Sequence, residues 1–508
     1  MSQKSSDLKD ETYQGLEVFY GDLHNHSGLS YGHGSFDDAI KNAKLQLDFV
    51  SVTLHAAWPD IPTDDPRLGY LVDYHKIGFA KALNNWKGYL KKVDDYNQPG
   101  EFVTFPSYEW HSNKYGDHCI YYKDVLDLPI FDSMDLSLLR QNLMQLPTQT
   151  FLIPHHIGYK QGYRGINWDA FSNQISPVAE IFSFHGSSES SEGPYPYLHT
   201  MGPRNEKSSA QYGWSLGYIF GVVGSTDHHN AFPGSYGSGR LGVWAKSLTR
   251  DAIWESISRR RTYALTGDNI RLTFSLNGYP MGEICPPSET RYISASVSGG
   301  STVDYIDLIH NNKVIHRECP KPQNGDGDLF KIYLELGWGE KVEATCWDVD
   351  FKVSDGEIVD VEPRFRGFGS QGVPMDDNYA YTSWERVKPN QVHFSTRTMP
   401  NTSLHTPSTE GMCFEIRGNE NTKILAAING KLYEHALSEL MLGASTYYLD
   451  GFVSPAICFH RAIPQSEYQH RFEFIHPHVS NQRDWYYLRI CQRNNQWAWS
   501  SPIWIEPS

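Results

Sequence analysis

No run of about twenty apolar residues occurs in the 508-residue chain, so a membrane-spanning helix is not expected. The start, Met-Ser-Gln-Lys-Ser-Ser-Asp-Leu-Lys-Asp, lacks the apolar centre of a secretion signal. The expectation is a cytoplasmic protein without a membrane partner. Cysteine is sparse: the seven residues (119, 285, 319, 346, 413, 458 and 491) are odd in number and contain no Cys-x-x-Cys pair. That excludes a zinc ribbon and argues against a disulfide frame, leaving reduced, mostly buried thiols. Without secretion, Asn401-Thr402-Ser403 is a chance match to a glycosylation acceptor. Positive charge is short as well, with 44 Lys and Arg against 59 Asp and Glu. A net charge of −15 offers no basic face to nucleic acid or an anionic membrane. Any anionic substrate needs a local positive charge, which bound metal would supply. Internal repeats and low-complexity tracts are absent.

What is present is material for packed interiors. A hydrophobic content of 39%, with 14 Trp, 31 Tyr and 24 Phe, suffices for two or three domains at this length. From residue 16 to about 267 a pattern recurs, in which an apolar run ends in a metal-ligand residue and a polar connection follows. Leu16-Glu-Val-Phe-Tyr20 leads to His24 and His26. Asp48–Leu54 leads to His55, and Glu101–Tyr108 to Glu109. Thr150–Pro154 leads to His155 and His156, Val178–Phe184 to His185, and Tyr218–Thr226 to Asp227, His228 and His229. Thirteen of the 22 histidines precede residue 268, hardly more than half, so enrichment decides nothing and placement at strand ends does.

Strands alternating with helix-length connectors predict a parallel α/β arrangement, whose strand ends converge on one mouth. Ser35 caps a helix from residue 36, Asp73 to about Val93 is a longer one, and Arg250–Arg261 is the helix expected to close the barrel. Residues 186–216, rich in Ser, Gly and Pro, read as an irregular lid or binding loop. After Gly267 polar and apolar residues alternate between turn signals, predicting an antiparallel sandwich. Residues 355–412 read as loop-heavy, with a short helix within Glu434–Leu442. The domain division is thus an N-terminal tail (1–15), an α/β unit (16–267) and a β-rich unit (268–508).

In extended backbone, side chains two apart share a side. His24 and His26 can therefore reach one ion, and Asp227 pairs with His229 while His228 points away. The same alternation lets only one of the neighbours His155 and His156 face the mouth, and His155 is the one favoured here. The candidate metal ligands are His24, His26, His33, His55, Glu109, His155, His185, Asp227 and His229. Imidazole with carboxylate favours Zn, Mn or Fe over Mg or Ca. Glu109 is the candidate bridging carboxylate; His111, His118 and His199 are outer-layer candidates, with His118 also a candidate in the active site.

These residues resemble the motif set of the polymerase-and-histidinol-phosphatase (PHP) superfamily of metal-dependent hydrolases. The set comprises an opening His-x-His, a His after an apolar strand, a Glu with later histidines, and a closing Asp-x-His. The resemblance covers residues 18 to about 267 and implies a distorted seven-stranded (β/α) barrel holding two or three divalent ions. It implies His24, His26, Glu109 and Asp227 at one ion, Glu109, His155 and His185 at a second, and His33, His55 and His229 at a third. The chain departs at Thr53-Leu54-His55, where Leu54 replaces the commoner acidic neighbour. Residues 224–234, 259–267 and 498–504 are similar to a poorly characterised branch that joins the barrel to a β-rich segment.

The expected activity is hydrolysis of a phosphoester of a small, anionic molecule. Ions about 3.5–4 Å apart would make water a nucleophile and clamp a leaving oxygen. Glu109 and Asp227 are the catalytic carboxylates, with His118, His156 or His228 as proton donor. Lys160, Arg164 and Arg240, with His156 and His228, are the expected substrate-binding set. The alternatives are hydrolysis of an amide, ester or lactone by the same centre, and a non-catalytic ligand-binding protein. A homo-oligomer is compatible with the sequence.

Overall fold

Glu17-Val-Phe-Tyr-Gly-Asp-Leu-His-Asn has no clean alternation because both faces of its strand are covered; past Glu17 only Tyr20 keeps partial exposure. The computed structural model describes residues 11–197, 201–321, 327–338, 343–369, 376–400 and 408–507. Most of the tail 1–15, together with His199 and Asn401-Thr402-Ser403, lies outside the described residues. Along the first half run β1 (Glu17–Asn25), α1 (Phe36–Lys44), β2 (Phe49–Val52), β3 (Leu54–Ala57), α2 (Gly69–Asp95), β4 (Val103–Thr104), β5 (Ser107–Trp110) and β6 (His118–Tyr122). There follow α3 (Leu136–Met144), β7 (Thr150–Pro154), β8 (Val178–Ser183), β9 (Gly186–Ser187), α4 (Ala210–Ser215), β10 (Gly221–Gly224), β11 (Arg240–Ala245), α5 (Arg250–Ser258) and β12 (Thr262–Leu265).

Two apolar runs that read as single strands are each broken. Asp48–Leu54 divides at Thr53 into β2 and β3, and Glu101–Tyr108 divides at Phe105-Pro106 into β4 and β5. Pro106 has no N–H to give a ladder. β1, β2 and β4 pair in parallel in one sheet, while β3 and β5 pair in parallel in another. The second register sets His55 opposite Glu109. β5–β6 and β6–β7 are antiparallel, contrary to the all-parallel expectation. Residues 111–117 are too few for a crossover, which needs a dozen or more. β8 and β10 form a further parallel pair, in a third sheet. The ladders divide among these three sheets and do not themselves close into one ring.

α1 begins where expected. Ser35 accepts from Asp38 N (3.0 Å), and Asp38 in turn accepts from Ser35 N (3.3 Å), a reciprocal cap. α5 is likewise capped by Thr249. The segment 186–216 is less irregular than expected, since it contains β9 and α4.

The second half is strand-rich, including the stretch expected to be loop-heavy, where Glu357–Pro363, Ser383–Lys388 and Gln391–Thr398 are strands. The short helix spans Leu437–Leu442. Two sheets share a core of Phe, Ile, Leu and Val side chains, with the Phe351 and Phe414 rings stacked 3.7 Å apart. A further sheet, built on Arg271–Leu276, Thr290–Ser298 and Gln469–Pro477, packs on Val303–His310 and Asp484–Gln492. The N-terminal sheet does not stop at residue 267. β12 pairs with Trp497–Ser500, which pairs with Asp484–Gln492. The architecture is mixed α/β, rich in strands and poor in helices.

Candidate metal centre

His24 and His26 sit at the end of β1, His55 in β3, Glu109 in β5 and His155 just past β7. His185 follows β8, and Asp227 and His229 follow β10. These side chains converge. Glu109 Oε1 lies 2.8 Å from His155 Nε2, and Oε2 lies 2.7 Å from His55 Nδ1 and 3.6 and 3.8 Å from Nε2 of His26 and His24. Asp227 Oδ1 lies 3.0 Å from His26 Nε2 and 3.3 Å from His24 Nε2; Oδ2 lies 3.1 Å from His185 Nε2. His229 Nε2 meets His55 Nε2 at 3.3 Å.

The outer nitrogens explain what the inner ones can do. His26 Nδ1 donates to Thr53 O (2.8 Å) and His229 Nδ1 to Asp227 O (2.8 Å), since a carbonyl can only accept. Their Nε2 atoms therefore face inward as lone pairs. His24 Nδ1 lies 3.0 Å from Glu180 Oε2, a carboxylate that takes the same proton when ionised. Yet His24 Nε2 faces His26 Nε2 at 3.1 Å, and Glu109 Oε2, although 2.7 Å from His55 Nδ1, is buried with no aligned hydrogen bond. Acceptors thus face acceptors in a water-poor interior, an arrangement that costs free energy unless cations sit among them. The donor set fits divalent metal. Several triads, among them His24–His26–Glu109 and His26–His55–His229, have their donor atoms within 4.8 Å of one another.

The electrostatics divide: burial works to lower His24, but Cys119, Asp227 and Glu180 raise it well above its ordinary value, whereas the two carboxylates and His229 shift as metal ligands should. Burial works to raise Glu109, but His111, His55 and His155 hold it well below the usual carboxylate range. Asp227 is held down against burial by His24, His185 and His26. Burial, with His26 adding to it, pushes His229 down to about 3, so that imidazole is neutral and ready to ligate. A cavity of about 320 Å³ opens onto Glu109, Asp227, His55, His155, His185 and His229, with Tyr31, His75 and Arg164 among its other walls. Three residues of this cavity hold left-handed backbone: His156 (φ 33), Arg164 (φ 68) and Asp227 (φ 53). Non-glycine residues pay for that conformation, and such strain gathers at functional sites.

Other expected residues are placed differently. His33 is exposed at the cavity rim, its backbone N donating to His229 O, with no ring bond to the cluster. His118 is off the site. It is paired in register with Trp110, so its ring lies on the far side of β6 and bonds Gly116 O (2.9 Å). Its neighbour Cys119, opposite Glu109, faces His24 and His155 instead. His228 points away, bonding Phe368 O (2.9 Å), as alternation expects, although the turn at Asp227 rather than an extended strand achieves it. His156 is not turned out: its kinked backbone brings Nε2 to 3.3 Å from Asp117 and its ring to the cavity. Arg164 lines the cavity and is paired with Asp117. Lys160 is exposed, with Nζ over the Tyr163 ring. Arg240 is buried inside the sheet, held by Gly234 O and Gln46 Oε1, and does not reach the cavity.

Sequence reading missed Glu180, Asp117 and Cys119 and undervalued His111. Glu180 interrupts the apolar run of β8, a signal in itself; burial pushes it up to about 7 against the pull of His24. His111, two residues past Glu109 and so on the same side, lies 3.1 Å from Glu109 Oε1 and 3.0 Å from Asp117 Oδ2.

A family model described as a protein of unknown function (DUF3604) matches residues 234–285. An uncharacterized protein of Chlamydia pneumoniae is 23% identical over 270 residues, covering 47% of this chain and 42% of that protein. One from Chlamydia trachomatis serovar D is 27% identical over 177 residues, covering 32% of this chain and 28% of that protein. The chain thus spans less than half the length of these curated relatives. Among solved structures, a two-domain protein from Bacteroides vulgatus described as containing a predicted PHP-like metal-dependent phosphoesterase aligns at 12% identity. That alignment covers 86% of this chain and 100% of that one, with a TM-score of 0.33. At that score the likeness carries no weight for fold or chemistry. Among the described residues no helix is long and apolar enough to cross a membrane.

Proposed function

We propose that the chain is a metal-dependent hydrolase acting on a phosphoester of a small molecule, with residues 16–267 as a barrel-like unit that carries the site. The observation that supports it is the inward-facing set of lone pairs around Glu109 and Asp227, which the outer bonds of His26 and His229 enforce. His24, His26, His55, Glu109, His155, His185, Asp227 and His229 would hold two or three ions of the Zn, Mn or Fe class, with His111 beside them. When bound, such ions acidify water and offset charge developing on a phosphoryl oxygen.

The chain's own groups supply position and protons. Arg164 is half-buried, paired with Asp117 and lying over the Trp58 ring, so its guanidinium is held at the cavity wall to orient an anionic group. His156 lines the cavity with Nδ1 buried and unpartnered, and would be the group that gives a leaving oxygen its proton. Tyr31 lies against the His55 ring and stays a phenol, because burial and Glu109 raise it well above its ordinary value. It can donate to substrate but not act as a base. One observation favours a carbonyl substrate instead: Arg164 is already neutralised by Asp117, leaving little fixed positive charge for a dianion.

The test is turnover of aryl phosphate mono- and diesters against aryl esters and amides by protein loaded with Zn or Mn. Phosphate release that disappears in Glu109→Gln is the expected result. Ester or amide turnover without phosphate release transfers the reading to carbonyl chemistry, and silence on every panel with metal bound rejects hydrolysis.

A further inference from the structure

A second His-x-His stands far along the chain, in Phe474-Ile-His-Pro-His478, and the fold gives it company. His476 lies near the end of the strand Gln469–Pro477, facing Arg291 in register. His478 follows, its N donating to Glu289 O (3.1 Å), so the chain stays laid along the neighbouring strand. His310 closes the strand Val303–His310, opposite Tyr486, and Asp484 opens the strand Asp484–Gln492. Three strand ends from two packed sheets therefore deliver three imidazoles and one carboxylate to one corner.

At that corner two imidazoles approach the Asp484 carboxylate closely. His310 Nε2 lies 3.2 Å from Asp484 Oδ1, and His478 Nε2 lies 3.4 Å from Oδ2. His310 Nε2 and Asp484 Oδ2 are nonetheless buried with no hydrogen-bond partner. Asp484 is 1% exposed and His310 9%. The ring centres are 4.7 Å (His310–His478), 5.2 Å (His310–His476) and 5.2 Å (His476–His478) apart. A zinc–nitrogen bond of about 2.0–2.1 Å, about 1.1 Å more to each ring centre and a tetrahedral angle would put ring centres about 5.2 Å apart. Beyond the four, Tyr486 Oη lies 3.0 Å from His476 Nδ1 and can accept its proton, so that Nε2 would be the atom free to bind an ion. Asn311 Nδ2 donates to Asp484 Oδ1 (2.8 Å) and fixes the carboxylate. Arg291 Nη2 stands 3.5 Å from Asp484 Oδ2, past a good hydrogen bond, and its charge weakens the site for a cation without filling that oxygen's lone pair.

The geometry points to a second metal site, in which His310, His476, His478 and Asp484 bind one zinc-class divalent ion that clasps the two sheets together. Four protein ligands leave no open position, so the role is structural. It is independent of the hydrolase reading, since no ligand is shared with the N-terminal cluster.

The test uses the full chain and zinc alone, counting zinc per chain by elemental analysis and following the melting temperature with and without zinc. His478→Asn is the primary variant, because that side chain is 32% exposed at a strand end and its replacement spares the core. It is expected to hold one equivalent fewer than the parent and to lose part of the zinc-dependent rise in melting temperature. Turnover on whatever substrate the parent accepts stays unchanged. Asp484→Asn is expected to do the same, and Asn311→Ala to weaken that one equivalent about 10–100-fold. Cobalt in the parent should show a tetrahedral visible band that shrinks in His478→Asn. Should His478→Asn keep the parent's stoichiometry, cobalt band and zinc-dependent melting shift, the site does not exist.

Discussion

Glu109 and Phe414 are both buried, and the interiors around them are built on opposite terms. Strands near Glu109 are buried on both faces, and their inward positions carry imidazoles and carboxylates. Phe414's strand is also largely buried, but its neighbours include half-buried strands such as Gln391–Thr398, and the core they share is mainly hydrocarbon. The second interior supplies stability through apolar area removed from water. The first gives some up, by holding together groups that repel until cations arrive. If so, injury to each should have a different signature.

The sharpest break is Glu109→Gln. Activity is expected to fall at least about 10³-fold, roughly 4 kcal/mol of barrier, with loss of bound metal, while the metal-free protein melts no earlier than its parent. Kinetics, elemental analysis and calorimetry read the three quantities; a metal-free variant that melts much earlier would show that Glu109 serves the fold. The converse is Phe414→Ala, expected to cost about 3–5 kcal/mol in urea unfolding with metal per folded chain unchanged. His228→Ala falls between the two. It leaves Phe368 O without its donor, for about 1–3 kcal/mol of stability, and turnover should stay within about tenfold of the parent's. Equal activity losses in the 109 and 228 variants would mean that His228 also serves the reacting groups.

The smallest effect belongs to the rim of the second half. Burial acts to lower His460, but Cys458 and the Glu335 carboxylate, 2.7 Å from Nε2, raise it to about 9. A histidine raised above its unfolded value of about 6.5 adds stability that is complete below that pH and is lost as pH climbs towards 9. Melting temperature against pH should slope down across that window in the parent and lie flatter in His460→Gln. Being partly exposed, the pair should yield a modest difference.

How much of this could be read in advance divides along the same line. Apolar runs ending in His, Glu or Asp revealed most of the cluster, because chain direction and side-chain alternation are local facts. The capping role of Ser35 was legible for the same reason, though not the answering bond from Asp38. The breaks at Thr53 and Phe105-Pro106 were not, since each run is apolar throughout and only the competing sheets decide where it bends. Nor was the site's placement of Cys119 over His118, which depends on the register of β6 against β5. Asp117 and Arg164 find one another 47 positions apart, a pairing no spacing rule contains. Parity failed at His156 because a left-handed residue breaks the alternation on which parity rests.

The continuity of β12 with Trp497–Ser500 bears on how this polypeptide can be dissected. A fragment ending near residue 267 would keep the cavity but strip the partner strand from Thr262–Leu265, leaving a bare ladder edge and the flank once covered by Trp499 open to other molecules. The two halves are stitched by main-chain bonds, and whoever cuts there should plan for a sticky product.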